Sequence, residues 1–175
     1  MKPIILIGNG GHCRSCIDVI ETESKFQIAG IIGQPGGNSE SIFGYEVLGD
    51  DNDLSEIIKK YPIAFITVGQ IKSADLRVKL FSSLKDLGVK FPVIISPNAH
   101  ISKYTEIKEG TIVMHGAIIN AGSNIGENCI INNQALIEHD AVIGNHSHIS
   151  TGAIINGDVK IGSSAFIGSG VIILL

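Results

Sequence analysis

The sequence predicts two units built on different periods: a small α/β unit over residues 1–95 and a coil of short strands over residues 98–175. Two observations carry this. Up to about residue 95, short apolar runs alternate with helical stretches, the pattern of βαβ units around a parallel sheet. From residue 98 the apolar period becomes six, which suits neither an α-helix nor a flat strand.

In the first unit PIILIG reads as a buried strand, followed by a turn at Asn9-Gly10-Gly11 and a helix through CRSCIDVIETE. FQIAGII is a second strand and DLSEIIKKY a helix opened by acidic residues. IAFITVG is a strand, SADLRVKLFSSLKDLG a helix, and VKFPVIIS the last strand of this unit. Ligands of such sheets bind beyond the carboxyl ends of the strands, which here carry Gly8-Asn9-Gly10-Gly11-His12 and Gly69-Gln70. These glycines let backbone approach a phosphate at a helix start. As a dinucleotide fingerprint the turn fails: the third glycine of GxGxxG would fall at Cys13, and Ile31-Ile32-Gly33-Gln34 offers no acid for a ribose. An NAD enzyme is therefore not expected.

In the second unit Ile occupies positions 101, 107, 119, 125, 131, 137, 143, 149, 155, 161, 167 and 173, with Val113 in the remaining slot. Two residues before each anchor the side chain is small or β-branched, from Ala99 and Thr105 to Ala165 and Val171. A coil with one hexad per face puts every anchor on the axis, stacked on its equivalents in the next coils. Each buried Ile is worth about 1.5–3 kcal/mol relative to exposure, so the ladder supports a solenoid with little helix.

The totals agree and exclude several classes. The chain has 175 residues, is 44% hydrophobic, holds 21 Gly and lacks Trp, a mix suited to many short strands and tight corners. A net charge of −4 with no basic stripe argues against nucleic acid. MKPIILI is too short for a signal peptide, and no stretch reaches the roughly 18 apolar residues of a membrane span. A soluble, cytoplasmic protein is expected. Cys13 and Cys16 form a CxxC at a helix start; with no second ligand pair they read as reduced thiols packed on one helical face, and Cys129 as core. No metal is expected.

Three of the six histidines crowd into QALIEHDAVIGNHSHIST. His139 falls two positions after an anchor and so projects outward at a corner, between Glu138 and Asp140. A carboxylate on one ring nitrogen fixes the tautomer and supports the imidazolium formed when the other nitrogen takes a proton.

The segments GNGGH at 8–12, ITVG at 66–69, LIEHD at 136–140, HIST at 148–151 and NGDVKIG at 156–162 resemble the hexapeptide-repeat acyltransferases. Within them the chain is similar to sugar O- and N-acetyltransferases of the sialic-acid NeuD and bacillosamine PglD type, over nearly its whole length. The resemblance implies a Rossmann-like N-terminal domain, a left-handed parallel β-helix with three hexads per coil, a homotrimer, and acetyl-CoA along the groove between neighbouring β-helices. It implies His139 as general base with Asp140 as its acid, His148 in contact with acetyl-CoA, and Gly157 as a backbone contact to it. Gly10, Gly11 and His12 match the loop that meets the nucleotide part of the sugar, with Gly69 at the neighbouring strand end. With three hexads per coil, Gly157 stacks over His139 and leaves a ligand room to pass.

The acid that the family often has near Gly33 is missing, which brings free sialic acid in beside a UDP-4-amino sugar as acceptor. Relatives run on for another coil or two, so the end at GVIILL implies a C-terminally shortened β-helix and weak hold on CoA. Direct attack on the thioester is the simplest chemistry, with an oxyanion donor among the turn amides near Gly152 or Gly157. Two rivals remain. One is a trimeric zinc hydratase using His139, His146 and His148; the other is a non-catalytic scaffold or sugar-binding protein.

Overall fold

A computed structural model describes residues 1–34 and 41–175. The chain divides into two compact units, Met1–Gly69 with Leu76–Pro92, and Gln70–Asp75 with Val93–Leu175.

The first unit holds β1 (Lys2–Ile7), α1 (Gly11–Glu23), β2 (Phe26–Ile32), β3 (Ser41–Ile42), β4 (Tyr45–Gly49), α2 (Leu54–Lys60), β5 (Ala64–Ile66) and α3 (Asp75–Asp86). Their sheet runs β3-β4-β2-β1-β5 and is parallel except for the edge pair β3–β4. Ile4, Ile5, Leu6 and Phe65 are fully buried, as central parallel strands covered on both faces require. The edge hairpin went unread in the sequence. It turns at Phe43-Gly44, with φ of 50° and 87°, the two successive left-handed residues of a tight hairpin.

VKFPVIIS does not close this sheet, contrary to expectation. Lys90 makes one isolated bridge to Ile63, and Ile94–Ile95 pair in parallel with Ile112–Val113 of the coil. Pro92 lacks the N–H a ladder needs. Ile95 also stands six residues before Ile101, so it is itself an anchor.

The second unit is a left-handed parallel β-helix of two-residue strands, three faces to a coil. The first face stacks Ile94–Ile95, Ile112–Val113, Ile130–Ile131, His148–Ile149 and Phe166–Ile167. The second stacks His100–Ile101, Ile118–Ile119, Leu136–Ile137, Ile154–Ile155 and Ile172–Ile173; the third, Glu106–Ile107, Asn124–Ile125, Val142–Ile143 and Lys160–Ile161. Partners such as Ile119 and Ile137 lie one coil of 18 residues apart. The anchors and the small residues form one core: Ile119, Ile131, Ile137, Ile149 and Ile155 are 0% exposed, as are Ala117, Cys129, Ala135, Ala141 and Ala153.

Two regularities complete the coil. The second corner residue is left-handed every six positions, at Gly110, Gly116, Gly122, Asn128, Gln134, Asp140, His146, Gly152, Asp158, Ser164 and Gly170, with φ between 52° and 80°. Gly, Asn and Asp dominate because they tolerate this region. The polar members of the small-residue column also have partners. Thr105, Thr111, Ser123 and Ser147 each donate to the carbonyl 15 residues ahead, at 2.7–3.0 Å, and the Cys129 thiol does so to Gly144 at 3.3 Å. A buried hydroxyl is thereby satisfied instead of costing its desolvation.

Candidate active site

In the first unit, Gly8 leaves β1 with φ 116°, and a Cβ there would stand 2.6 Å from Val68 Cγ2. Glycine is therefore required for β1 and the exit of β5 to lie so close. Thr67 Oγ1 donates to Gly8 O at 2.6 Å, and Gly8 N to Ile32 O at 2.7 Å, which ties three strand ends together. Gly10 is the N-cap of α1 and makes no side-chain cap, and nothing lies within 4 Å of a Cβ built on Gly10 or Gly11. The first N–H groups of α1 thus open beneath uncluttered space, the usual geometry for an anion. Gly69 borders the same place, its Cβ direction 3.4 Å from His12 Cβ. Arg77, 1% exposed, donates to Ile66 O at 3.1 Å and Val68 O at 2.7 Å and so holds the exit of β5. Sequence reasoning missed Arg77: an arginine on an amphipathic helix normally points to water.

Cys13 and Cys16 are both free and fully buried. Burial raises both thiol pKa values, Cys16 the more, which keeps them protonated and unreactive.

In the second unit, His139 and Asp140 form the corner between the second and third faces. Asp140 takes the left-handed corner position, with φ 59°. Asp140 Oδ2 meets His139 Nδ1 at 2.9 Å, with the side chains 67% and 65% exposed. The hydrogen bond to Asp140 raises the His139 pKa above the usual histidine value; desolvation opposes this, and the charges of Asp140, Glu138 and Asp158 add to it. Glu138 is engaged elsewhere, its Oε2 accepting from Asn120 Nδ2 at 2.8 Å. Of the two flanking acids, Asp140 is the one on the ring.

Gly157 lies one coil on. A Cβ there would sit 2.7 Å from His139 Nε2 and 2.8 Å from Cε1, so only glycine leaves the ring its position. On the other side, a Cβ at Gly122 would collide with Asp140 Oδ1. The acid–histidine pair is therefore flanked on both sides by glycine. Gly152, a candidate oxyanion donor in the sequence, has its N–H on Asn133 O at 2.9 Å.

His148 lies in a different setting. It stands on the first face, 6% exposed, with Phe166 edge-on at 5.2 Å. Its Nδ1 is 2.6 Å from Gln70 O, and a carbonyl only accepts, so Nδ1 carries the proton. Asn132 Oδ1 is taken by Asn133 N–H at 2.8 Å, which turns Asn132 Nδ2 toward His148 Nε2 at 3.2 Å. The ring is thus fixed as the Nδ1–H tautomer, its Nε2 accepting. Gln70 is held in turn by its Nε2 on Ala165 O at 3.3 Å. Sequence reasoning placed this histidine on an outer groove; here it is covered.

His146 occupies the next corner after His139, half-buried, its Nδ1 3.0 Å from Asn128 Nδ2. His115 pairs with Ser96 Oγ at 2.7 Å. The three histidines of the zinc reading thus have separate partners on different parts of the coil. Among the described residues, no group of three or more His, Cys, Asp or Glu is placed to hold a metal ion.

A β-helix of hexads behind a small α/β unit, with an acid-backed histidine on one corner, defines a hexapeptide-repeat transferase architecture. Residues 3–84 match the PglD N-terminal domain, and residues 122–157 match the bacterial transferase hexapeptide (six repeats). The chain is thus similar, in each of its two units, to PglD-type hexapeptide-repeat transferases. Among solved structures it is similar to PerB from Caulobacter crescentus in complex with CoA and GDP-perosamine, at 26% identity and TM-score 0.84, over 99% of this chain and 89% of that one. It is also similar to the acetyltransferase domain of PglB from Neisseria gonorrhoeae FA1090, at 25% identity and TM-score 0.82, over 99% of this chain and 92% of that one. The same domain in complex with acetyl coenzyme A gives a TM-score of 0.79 at 25% identity, over 99% of this chain and 91% of that one. No curated protein sequence matches the chain.

Proposed function

We propose that the protein is an acetyl-CoA-dependent sugar acetyltransferase that acts on the amino group of a nucleotide-linked sugar, with His139 as general base. The observation that carries this is the exposed His139 ring, backed by Asp140 on Nδ1 and lying against Gly157. In the reaction the amine lone pair attacks the thioester carbonyl carbon while His139 Nε2 takes a proton from the nitrogen. The tetrahedral intermediate collapses by breaking the C–S bond, and the departing thiolate takes the proton back from His139. Asp140, bonded to Nδ1, stabilises the imidazolium. No acyl-enzyme is needed, since acetyl-CoA arrives activated.

The neighbours that bind GDP-perosamine or acetyl coenzyme A support the choice of an amino sugar and of the acyl donor. Gly10, Gly11, His12 and Gly69 are assigned to the nucleotide part, with the α1 N–H groups facing the phosphate next to the nucleoside. Gly157 is assigned to the acetyl-CoA side of His139. His148, with its Nε2 lone pair engaged, is assigned to shaping the acetyl-CoA side rather than to proton transfer. Assembly as a homotrimer is supported by an outward apolar column on the second face, where Ile118 is 40% and Ile172 57% exposed beside Leu136 and Ile154. No described helix is long and apolar enough to cross a membrane, and the supply of acetyl-CoA favours the cytoplasm.

The test is CoA release from acetyl-CoA in the presence of GDP- and UDP-linked 4-amino sugars and of free sialic acid. The wild-type protein is expected to turn over a nucleotide amino sugar, and His139→Ala to lose about 10²–10⁴-fold. Turnover of sialic acid alone would move the acceptor from nitrogen to oxygen. A protein that binds sugar but never releases CoA would be the scaffold instead.

A further inference from the structure

The corner that carries His139 recurs in every coil, and its four successive pairs are Lys103–Tyr104, Ala121–Gly122, His139–Asp140 and Gly157–Asp158. Backbone bonds keep them in column: Gly122 N to Tyr104 O at 3.3 Å, Asp140 N to Ala121 O at 3.0 Å, and Asp158 N to His139 O at 3.0 Å. Neighbouring coils are about 4.8 Å apart, so Lys103–Tyr104 lies about 10 Å from His139 along the same edge. Between them Ala121 and Gly122 carry nothing beyond a Cβ, and the Asp140 carboxylate leans over Gly122, which leaves a shallow bed bounded by that acid on the His139 side.

The two ends of this bed differ in charge. Glu138, Asp140 and Asp158 surround the His139 end, whereas Lys103 is the one cation among the four corner pairs. Tyr104 is 69% exposed, and the Lys103 ammonium lies 4.9 Å from its ring centroid. An aromatic ring so exposed adds nothing to the core, and its flat apolar face suits the C–H face of a pyranose. A sugar carrying an amine across the ring from an anomeric phosphate has the matching polarity. Its amine belongs at the acidic, base-bearing end and its phosphate near the ammonium.

We propose that Tyr104 and Lys103 form the sugar-facing subsite of this corner, Tyr104 stacking on the pyranose and Lys103 meeting the anomeric phosphate. The pair thereby selects sugars whose amine is opposite the phosphate over those whose amine is next to it. This rests on the acetyltransferase reading of His139 and specifies the acceptor's direction along the edge, from Lys103 to His139.

The experiment is steady-state kinetics of the full chain with GDP-perosamine and acetyl-CoA varied in turn, for the wild type and for Tyr104→Ala, Tyr104→Phe and Lys103→Met. Tyr104→Ala is expected to raise the acceptor KM about tenfold, a loss of one stacking contact, with the acetyl-CoA KM unmoved. Tyr104→Phe, which keeps the ring, recovers most of that loss. Lys103→Met raises the acceptor KM several-fold and flattens its dependence on salt, as expected when a phosphate contact is lost. Acceptor KM values within twofold of wild type in all variants would overturn the subsite and leave the role of His139 standing. Equal rises in both KM values would overturn it as general damage. A wild-type chain that acetylates no nucleotide amino sugar would overturn the reading of His139 and this inference with it.

Discussion

His139 and His148 are nine residues apart on the same repeat, yet they occupy opposite environments. His139 stands at a corner, 67% exposed, with a carboxylate on Nδ1. His148 stands on a face, 6% exposed, with a backbone carbonyl on Nδ1. A carboxylate stabilises the protonated ring, so the corner histidine is suited to gaining and losing a proton. A carbonyl and an amide fix a neutral tautomer, so the face histidine is suited to holding a shape. A hexad repeat therefore offers two kinds of outward position, and which chemistry a side chain performs depends on whether it falls on a corner or a face.

The largest effect that would break this contrast is on rate. His139→Ala should lose about 10²–10⁴-fold in turnover with an unchanged urea midpoint, because the ring is outside the core. An active His139→Ala protein would remove the corner's claim to catalysis. On the structural side, Ile137→Ala, beneath this corner and 0% exposed, should cost about 2–5 kcal/mol in urea unfolding. His148→Ala should come next. It leaves Gln70 O and Asn132 Nδ2 without their partner, a loss of about 1–3 kcal/mol, read in the same unfolding curves. If its acetyl-CoA KM rises while stability holds, His148 contacts the cofactor directly and the contrast narrows.

The finest test is of pH. His139 must be neutral to act as a base, so kcat/KM should fall as pH drops through its raised pKa. Asp140→Asn removes the first cause of that rise, so the acidic limb should move to lower pH while the maximum rate also declines. A limb that stays in place would assign it to another group.

Much of this was legible in the residues. The Ile ladder, the small-residue column and the outward corner of His139 follow from counting by six, because burial in a coil is itself periodic. The positive-φ column was equally visible as recurring Gly, Asn and Asp, and was not read. The pairing of Thr105, Thr111, Ser123 and Ser147 with carbonyls 15 residues ahead had no local signature, since Ser and Ala serve equally as small residues. Ile94–Ile95 was misplaced because a short apolar run after Pro92 looks the same whether it ends one sheet or starts another. The hairpin at Phe43-Gly44 was hidden by a phenylalanine in a conformation that glycine or asparagine usually marks.

The period of the coil and the α/β order of the first unit were settled by sequence spacing, because each is a local or periodic pattern; the stacking of Gly157 on His139 followed from that spacing only with the three hexads per coil that the resemblance implies. The resemblance had already named Asp140 over Glu138, whereas the partner that occupies Glu138, the tautomer of His148 and the burial of Arg77 arose from folding. Glu138 is drawn to Asn120 in the preceding coil, and Arg77 answers carbonyls at the exit of β5. His148 meets Gln70 across 78 residues of chain. Contacts of that span obey no period, so only the packed chain reveals them.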